Sequence, residues 1–429
     1  MHKKERYHTT FVSFISVAAT LAAMVAAGDA GASGFQIREQ GTSGQGTSFA
    51  GATSSAKDLS TIYFNPAGMT YFSKRAAQAE LALILPSAKF KDNGSIVDTR
   101  PKGGTGGDAG SLAIVPSAYS MYPLGSNLRV GLGINAPFGL KTEYDADWMG
   151  RFLGIESELK TINVQPTIAY RFGPKLSIGG GLNIQYADAT LTRGVNLIAS
   201  EGRADLEGDD WGFGYTVGLM FQPTNSTRLG VTYKSRIRHI LKGDVRYTGL
   251  PPLTDFQNTA ASVDLSTPDM FSLGMTHHLS PRWTVMAEGA HTNWSVFDEV
   301  RVRKELAGTR DIVDVENWSN SWFFALGTEY KFNNRLDLRF GVAYDQSPVR
   351  DKYRSARIPD SDRLWASLGA GYALTDTVMV NAAYTHIWNE DARVNKNTPT
   401  PVTPFADNRL LGEFNSSVDI VTLNLSTAF

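Results

Sequence analysis

The ten residues LDLRFGVAYD, Leu336 to Asp345, alternate strictly between two kinds of side chain. Leu336, Leu338, Phe340, Val342 and Tyr344 form one set; Asp337, Arg339, Gly341, Ala343 and Asp345 form the other. A period of two puts successive side chains on opposite faces of a pleated strand, so the segment reads as a β-strand with one apolar and one polar or small face. Leu176 to Tyr186 repeats the pattern, setting Leu176, Ile178, Leu182, Ile184 and Tyr186 against Ser177, Gly179, Gly181, Asn183 and Gln185. Leu364 to Leu374 and Val378 to Tyr384 repeat it more weakly. Such alternation fits a soluble sandwich and a membrane barrel alike, because both carry one apolar face.

The connections separate the two. About fourteen strand-like segments can be read, roughly 76–92, 111–124, 128–144, 158–173, 175–194, 209–223, 227–245, 262–279, 282–303, 310–332, 335–347, 361–374, 377–394 and 412–429. Short turns such as Gly125-Ser126, Gly173-Pro174, Ser280-Pro281, Asn333-Asn334 and Thr375-Asp376 alternate with long polar loops at 93–110, 195–208, 246–261, 348–360 and 395–411. Short turns at one end, long loops at the other and an even strand number are the layout of an outer-membrane barrel. The chain also ends on an alternating strand closed by Phe429, which looks like the assembly signal of bacterial outer-membrane proteins. The expected fold is therefore all-β, a fourteen-stranded antiparallel transmembrane β-barrel. Several strands exceed the ~10 residues needed to cross at a tilt, so the wall should project beyond the bilayer on the long-loop side.

At the N-terminus, Lys3, Lys4 and Arg6 precede an apolar run from Phe11 to Ala27, and Ala30-Gly31-Ala32 precedes Ser33. That order of charge, apolar run and small residues is a secretory signal with cleavage after Ala32. Removing 1–32 takes three basic and two acidic residues from totals of 41 and 42, leaving a formal charge of −2 and no basic surplus for a nucleic-acid partner. No later run reaches the ~18 apolar residues of a membrane helix. With no cysteine, the chain has no disulfide, thiol metal site or cysteine nucleophile. No cofactor is expected. An enzyme would need a nucleophile, base and orienting group at one level of the wall. Of seven histidines only His277 and His278 cluster, and neighbours on a strand point apart. The stretch KGGTGGDAGS at 102–111 lacks the ending of a phosphate loop.

Between Ser33 and Arg75 the chain is rich in Gly, Ser, Thr and Ala, too aperiodic for a strand and too aromatic for a disordered tail. A barrel of this size leaves a wide lumen unless something fills it. Residues 33–75 are therefore expected to form an N-terminal hatch inside the barrel at 76–429. Within STIYFNPAGMTYF, Ser60 to Phe72, Pro66 fixes its own φ, lacks an N–H and pushes Asn65 toward extended backbone. Asn65, Pro66 and Ala67 should thus form a turn that seats the hatch. Further on, Pro137-Phe138-Gly139 falls inside the third strand, where proline followed by glycine signals a bulge or kink and hence a lateral gate. Trp148, Met149, Phe152, Leu153 and Ile155 cluster in the next loop, and water-facing apolar residues there predict an outer hydrophobic groove.

Taken together, SGFQ at 33–36, NPA at 65–67, NAPFGLKTEYDADWMGRF at 135–152, SELKTINVQPTIAYRF at 157–172, WGFGYTVGLMFQP at 211–223, FGVAYDQSPV at 340–349 and IPDSDRLWASLGAGYA at 358–373 resemble the FadL/TodX family. These are outer-membrane transporters of long-chain fatty acids and other hydrophobic compounds. The resemblance implies a monomeric fourteen-stranded barrel closed by a hatch, in contact with outer-membrane lipid. It implies that ligand binds an outer groove, moves to an interior pocket at the hatch N-terminus and leaves sideways through the kinked third strand. It places Phe35 in the interior pocket and Arg193 against the ligand carboxylate. The family's second carboxylate-binding cation aligns with Asp314, a departure for which Lys304 or Arg310 would have to substitute. Losing one cation favours aromatic or neutral hydrocarbons as the alternative cargo; a structural or adhesive barrel is the remaining rival.

Overall fold

The computed structural model describes residues 33–197, 200–398 and 408–429. The signal at 1–32 and part of the last long loop lie outside them. From Ala76 the chain forms one antiparallel sheet closed into a fourteen-stranded barrel. Its first seven strands are β1 (Ala76–Asp92), β2 (Ala113–Leu124), β3 (Leu128–Asn135 and Gly139–Glu143), β4 (Glu156–Phe172), β5 (Leu176–Leu197), β6 (Ser200–Phe221) and β7 (Thr227–Lys234 and Ile237–Thr248). The others are β8 (Thr259–Thr267 and Met270–His278), β9 (Trp283–Thr292 and Glu299–Lys304), β10 (Ile312–Val315 and Ser321–Lys331), β11 (Leu336–Asp345), β12 (Arg363–Ala373), β13 (Val378–Asn389 and Ala392–Asn397) and β14 (Asn408–Ala428). Closure lies in β14, where Val421 is opposite Leu83 of β1 and Tyr384 of β13.

The sidedness of β11 decides the environment. Leu338, Phe340, Val342 and Tyr344 point out and are exposed, while Asp337, Arg339 and Asp345 point in and are buried. An apolar exterior around a polar interior inverts a soluble sandwich and matches a wall in lipid. Rings gather at two levels of that exterior. Tyr170 with Phe172 and Trp283 with Tyr330 mark the short-turn end; Tyr186 with Trp211 and Trp322 with Phe324 lie further along their strands. No helix among the described residues is long and apolar enough to span a membrane.

Six of the segments read as single strands are broken in two near a common level, and the break in β3 shows how. Asn135 pairs with Asn163 of β4, but Gly139 pairs with Lys160, so Ala136, Pro137 and Phe138 stand opposite two residues. That is a bulge of one extra residue, sited where Pro137 has no N–H for the ladder. Thr161 repairs it: its hydroxyl accepts from Phe138 N at 3.0 Å and donates to Phe138 O at 2.6 Å. The break in β8 falls at Pro268-Asp269, again at a proline. The long strands β5 and β6 remain unbroken, pairing from Leu176–Phe221 to Leu197–Ser200 in one register.

Residues 33–72 fold inside this wall as short turns, α1 (Thr42–Gln45), α2 (Thr61–Phe64) and a 3-10 helix, Pro66–Tyr71. Inward polar side chains hold them. Glu80 accepts from Thr42 N at 2.7 Å, Glu288 from Thr53 N at 3.2 Å, and Ser367 meets Ser48 at 2.7 Å. Small hatch residues suit this close backbone approach to the wall.

Leu326 lies mid-strand on the lipid face of β10 and is largely exposed. Leu326→Arg should lower barrel stability in lipid vesicles by about 2–4 kcal/mol, read from denaturant-dependent refolding. No loss would place this face in water.

Candidate ligand pocket and hatch

The bulge in β3 is also where the hatch begins. Ile37 N donates to Pro137 O and Gly139 N donates to Phe35 O, both at 2.9 Å. Gln40 completes the contact, donating to Ala136 O at 2.8 Å and accepting from Ala136 N at 3.3 Å. Residues 35–40 thus take the place of a neighbouring strand along the free edge of the kink.

Phe35 itself is 1% exposed. Its ring lies 4.6 Å from Trp294, 5.3 Å from Phe297, 5.7 Å from Trp318 and 6.0 Å from Phe138, mostly edge to face. Every ring around it comes from a break in the wall: Phe138 from β3, Trp294 and Phe297 from the turn inside β9, Trp318 from the break in β10. A regular strand cannot turn such rings inward while keeping its lipid face; an irregular one can. Trp294, Phe297 and Trp318 escaped the sequence reading because period-two patterning fails where they sit. A signal exists in the tripeptide Asn-Trp-Ser, present at both 293–295 and 317–319. Leu241, Val245, Val302 and Ile312 extend the same apolar cluster toward the long-loop end.

There it meets charge. A cavity of about 40 Å³ is lined by Val245, Val302 and Ile312 together with Arg193, Asp314 and Arg357. Arg193 points inward, as its parity with Ser177, Asn183 and Gln185 requires in an unbroken register. Its side chain makes no hydrogen bond or ion pair among the described residues. Asp314 is neutralised from elsewhere, by Lys396 at 2.6 Å. Neither proposed substitute cation lines this cavity. Arg310 is exposed and pairs with Asp255 at 2.7 Å, while Lys304 donates to Asp255 O at 2.9 Å. Arg357 is the second cation instead. It leaves the loop between β11 and β12, donates to Ser157 Oγ at 2.8 Å and Glu156 O at 3.1 Å, and is pushed down to about 10 by burial and then by Arg193. It remains charged at neutral pH.

At the other end of the hatch, Asn65 is fully buried. Its amide donates to Thr53 O at 2.8 Å, to Leu219 O of β6 at 3.1 Å and to Val231 O of β7 at 3.5 Å; its carbonyl accepts from Ala67 N at 3.1 Å. The turn reaches the wall only because glycine stands there. A Cβ on Gly218 would overlap Asn65 Oδ1, and one on Gly179 would meet the Pro66–Ala67 backbone.

Trp148, Met149, Phe152, Leu153 and Ile155 are all buried, so they do not present an open, water-facing groove. Trp148 stacks on Tyr144 at 4.0 Å, meets the Phe90 ring at 5.9 Å and donates to Gly154 O at 2.8 Å. The expectation of exposure is corrected by the loop's own fold, which closes over these side chains. His277 and His278 engage different threonines, Thr227 and Thr284, each at 2.9 Å, and form no dyad.

The family described as Outer membrane protein transport protein (OMPP1/FadL/TodX) matches residues 23–429. The long-chain fatty acid transport protein of Escherichia coli O6:H1 is 28% identical over 87% of this chain and 91% of its own length. Outer membrane protein P1 of Haemophilus influenzae is 30% identical over 85% and 88%. A FadL homologue from Pseudomonas aeruginosa superposes with a TM-score of 0.86 at 24% identity, covering 92% of this chain and 100% of that one. The toluene transporter TodX of Pseudomonas putida superposes at 0.68 with 19% identity over 90% and 98%. These two likenesses establish the fold.

Asn65→Ala removes the amide from two close backbone carbonyls and should weaken hatch seating by about 2–4 kcal/mol. Passive leakage of small solutes through reconstituted protein should rise; unchanged leakage would dismiss the seating role. Glu39, buried with both carboxylate oxygens unpartnered among the described residues, is raised from about 4.5 to about 7 by burial. The seated hatch therefore holds this proton more tightly than a released one. Its contribution to seating is fully present below about pH 4.5 and lost as pH rises through 7, so leakage should increase between pH 5 and pH 8. Glu39→Gln should reduce that increase.

Proposed function

The chain belongs to the OMPP1/FadL/TodX family of outer-membrane transport proteins, and from that premise we propose that it mediates passive uptake of long-chain fatty acids or similar amphiphiles. It is a transporter and not an enzyme. The observation that carries the cargo reading is an apolar, ring-lined interior ending on two arginines, one of which has no hydrogen bond or ion pair among the described residues. A chain of about a dozen methylenes gains roughly 10 kcal/mol on leaving water. A carboxylate accepting from a desolvated guanidinium adds about 1.5–3 kcal/mol, enough to orient the ligand while the tail sets its affinity.

Phe35 occupies the space such a tail would use, and the backbone on either side of it is bonded to the β3 bulge. A ligand that displaces Phe35 would therefore strip Pro137 O and Gly139 N of their partners and free Pro137, Phe138 and Gly139 to part from the hatch. We read this segment as the lateral gate into the membrane. The ligand drives opening only by the difference between its affinities for the closed and open forms. The buried cluster around Trp148 is the acceptor on the outer side once its loop parts. The barrel acts as a monomer.

A second reading, uptake of aromatic or neutral hydrocarbons, is favoured by the four rings around Phe35 and by Asp314 beside the arginines.

Competition between a long-chain fatty acid and its methyl ester separates the two. The acid should bind more tightly to the wild type, and Arg193→Ala should weaken the acid by at least about tenfold while leaving the ester unchanged. Arg357→Gln should act in the same direction. Equal binding of acid and ester by the wild type would remove the carboxylate role and leave the hydrocarbon reading.

A further inference from the structure

A second void lies at the opposite end of the barrel from Arg193. About 180 Å³ separates the lower hatch from the short-turn ends of β7 to β11. Lys57, Arg228, Arg282, Lys331 and Arg339 line it, with Glu329 as the carboxylate among them. Lys57 and Arg339 are balanced: Lys57 bridges Glu329 at 2.7 Å and Asp337 at 2.9 Å, and Arg339 meets Glu329 at 2.9 Å. Half-buried Arg228 and the exposed rim residues Arg282 and Lys331 have no ion-pair partner among the described residues, leaving an excess of three positive charges around one cavity. His278 on the same lining adds to it when protonated.

Like charges gathered around one void repel one another, and an anion among them removes that repulsion. The donors are also arranged for one. Arg339 Nη2 and Ser43 Oγ, on side chains more than nine-tenths buried, and Arg228 Nε have no hydrogen-bond partner among the described residues, and all three residues line this void. Arg228 is held in place by the Tyr71 ring, 3.9 Å from its guanidinium, and by the Ser55 carbonyl. Guanidinium, ammonium and hydroxyl donors from hatch and wall line this one void and suit a tetrahedral oxyanion, whose oxygens can accept from several directions at once.

We propose that this cavity binds a phosphate-class anion. Two sources share that chemistry: free phosphate in the periplasm, and the phosphate of an anionic phospholipid in the inner leaflet. The second is within reach because Arg282 and Lys331 adjoin Trp283, Tyr330 and Phe332, rings on the lipid-facing rim. An anion bound here ties Ser43 and Arg228 to Arg339, and so fastens the hatch to the wall from below, independently of the ligand pocket above.

Isothermal titration calorimetry on the detergent-solubilised full chain tests this, with inorganic phosphate and, separately, short-chain phosphatidylglycerol as probes. The comparison is the double variant Arg282→Gln, Lys331→Gln, which alters rim side chains outside the Arg193 pocket. Phosphate should bind the wild type, weaken with added salt, and weaken at least about tenfold in the double variant. Ser43→Ala, which keeps every charge, should weaken it by a smaller factor. If phosphatidylglycerol binds more tightly and displaces phosphate, the lipid is the source; if it does not compete, the free ion is. No binding of either probe, or equal binding by wild type and double variant, overturns the proposal.

Discussion

In hydrocarbon, a backbone N–H or C=O has no water to fall back on, and leaving one unpaired costs several kcal/mol. Everything else in this barrel follows from how that demand is met. Closure of β14 onto β1 meets it around the circumference. The breaks in six strands interrupt it. At β3 the substitutes are a threonine hydroxyl on one side and the hatch backbone on the other. The kink is therefore stable only while residues 35–40 stay beside it, which makes the hatch part of the wall's hydrogen bonding as well as a filler of its lumen.

The interior obeys a second form of the same demand. Several of its charges are matched locally: Lys57 with Glu329 and Asp337, Lys396 with Asp314, Arg363 with Asp360. Lys234, half-buried, sits 3.0 Å from the centre of the Tyr63 ring of the hatch. Arg193 differs from these: beside an apolar cluster, its side chain has no hydrogen bond or ion pair among the described residues. Desolvated charge is expensive to leave alone, so Arg193 is a position where an incoming carboxylate would gain more than on a solvated surface.

Much of this was legible in the sequence wherever the backbone stays regular. The alternation at Leu336–Asp345 set the two faces of the wall, and the unbroken pairing of β5 with β6 is why parity alone placed Arg193 inward. Asn65 was legible for the opposite reason: Pro66 forbade regular structure, so a turn had to exist and a buried amide had to serve it. Legibility ended at the irregular segments that line the candidate site. Trp294, Phe297 and Trp318 follow no strand period, and Arg357 arrives from a loop whose path depends on contacts far away in sequence. The Trp148 cluster was misjudged because exposure was assigned to a loop before that loop's own packing, against Phe90 and Tyr144, was known.

The breaks that hid the site also explain its placement. A barrel strand spends one face on lipid and one on the lumen, and small or polar lumen residues leave room for a hatch. To line part of that lumen with large rings, the chain must leave the strand geometry, and each departure exposes backbone that something must satisfy. Concentrating the departures near one level lets a single stretch of hatch, residues 35–40, serve both needs: its backbone bonds the kink in β3 and Phe35 fills the ring-lined space. Occupancy of the pocket and integrity of the wall are thus joined through consecutive peptide units. Under the proposed function, a ligand cannot move Phe35 aside without disturbing the bonds on either side of it, so no longer-range relay would be needed between pocket and gate.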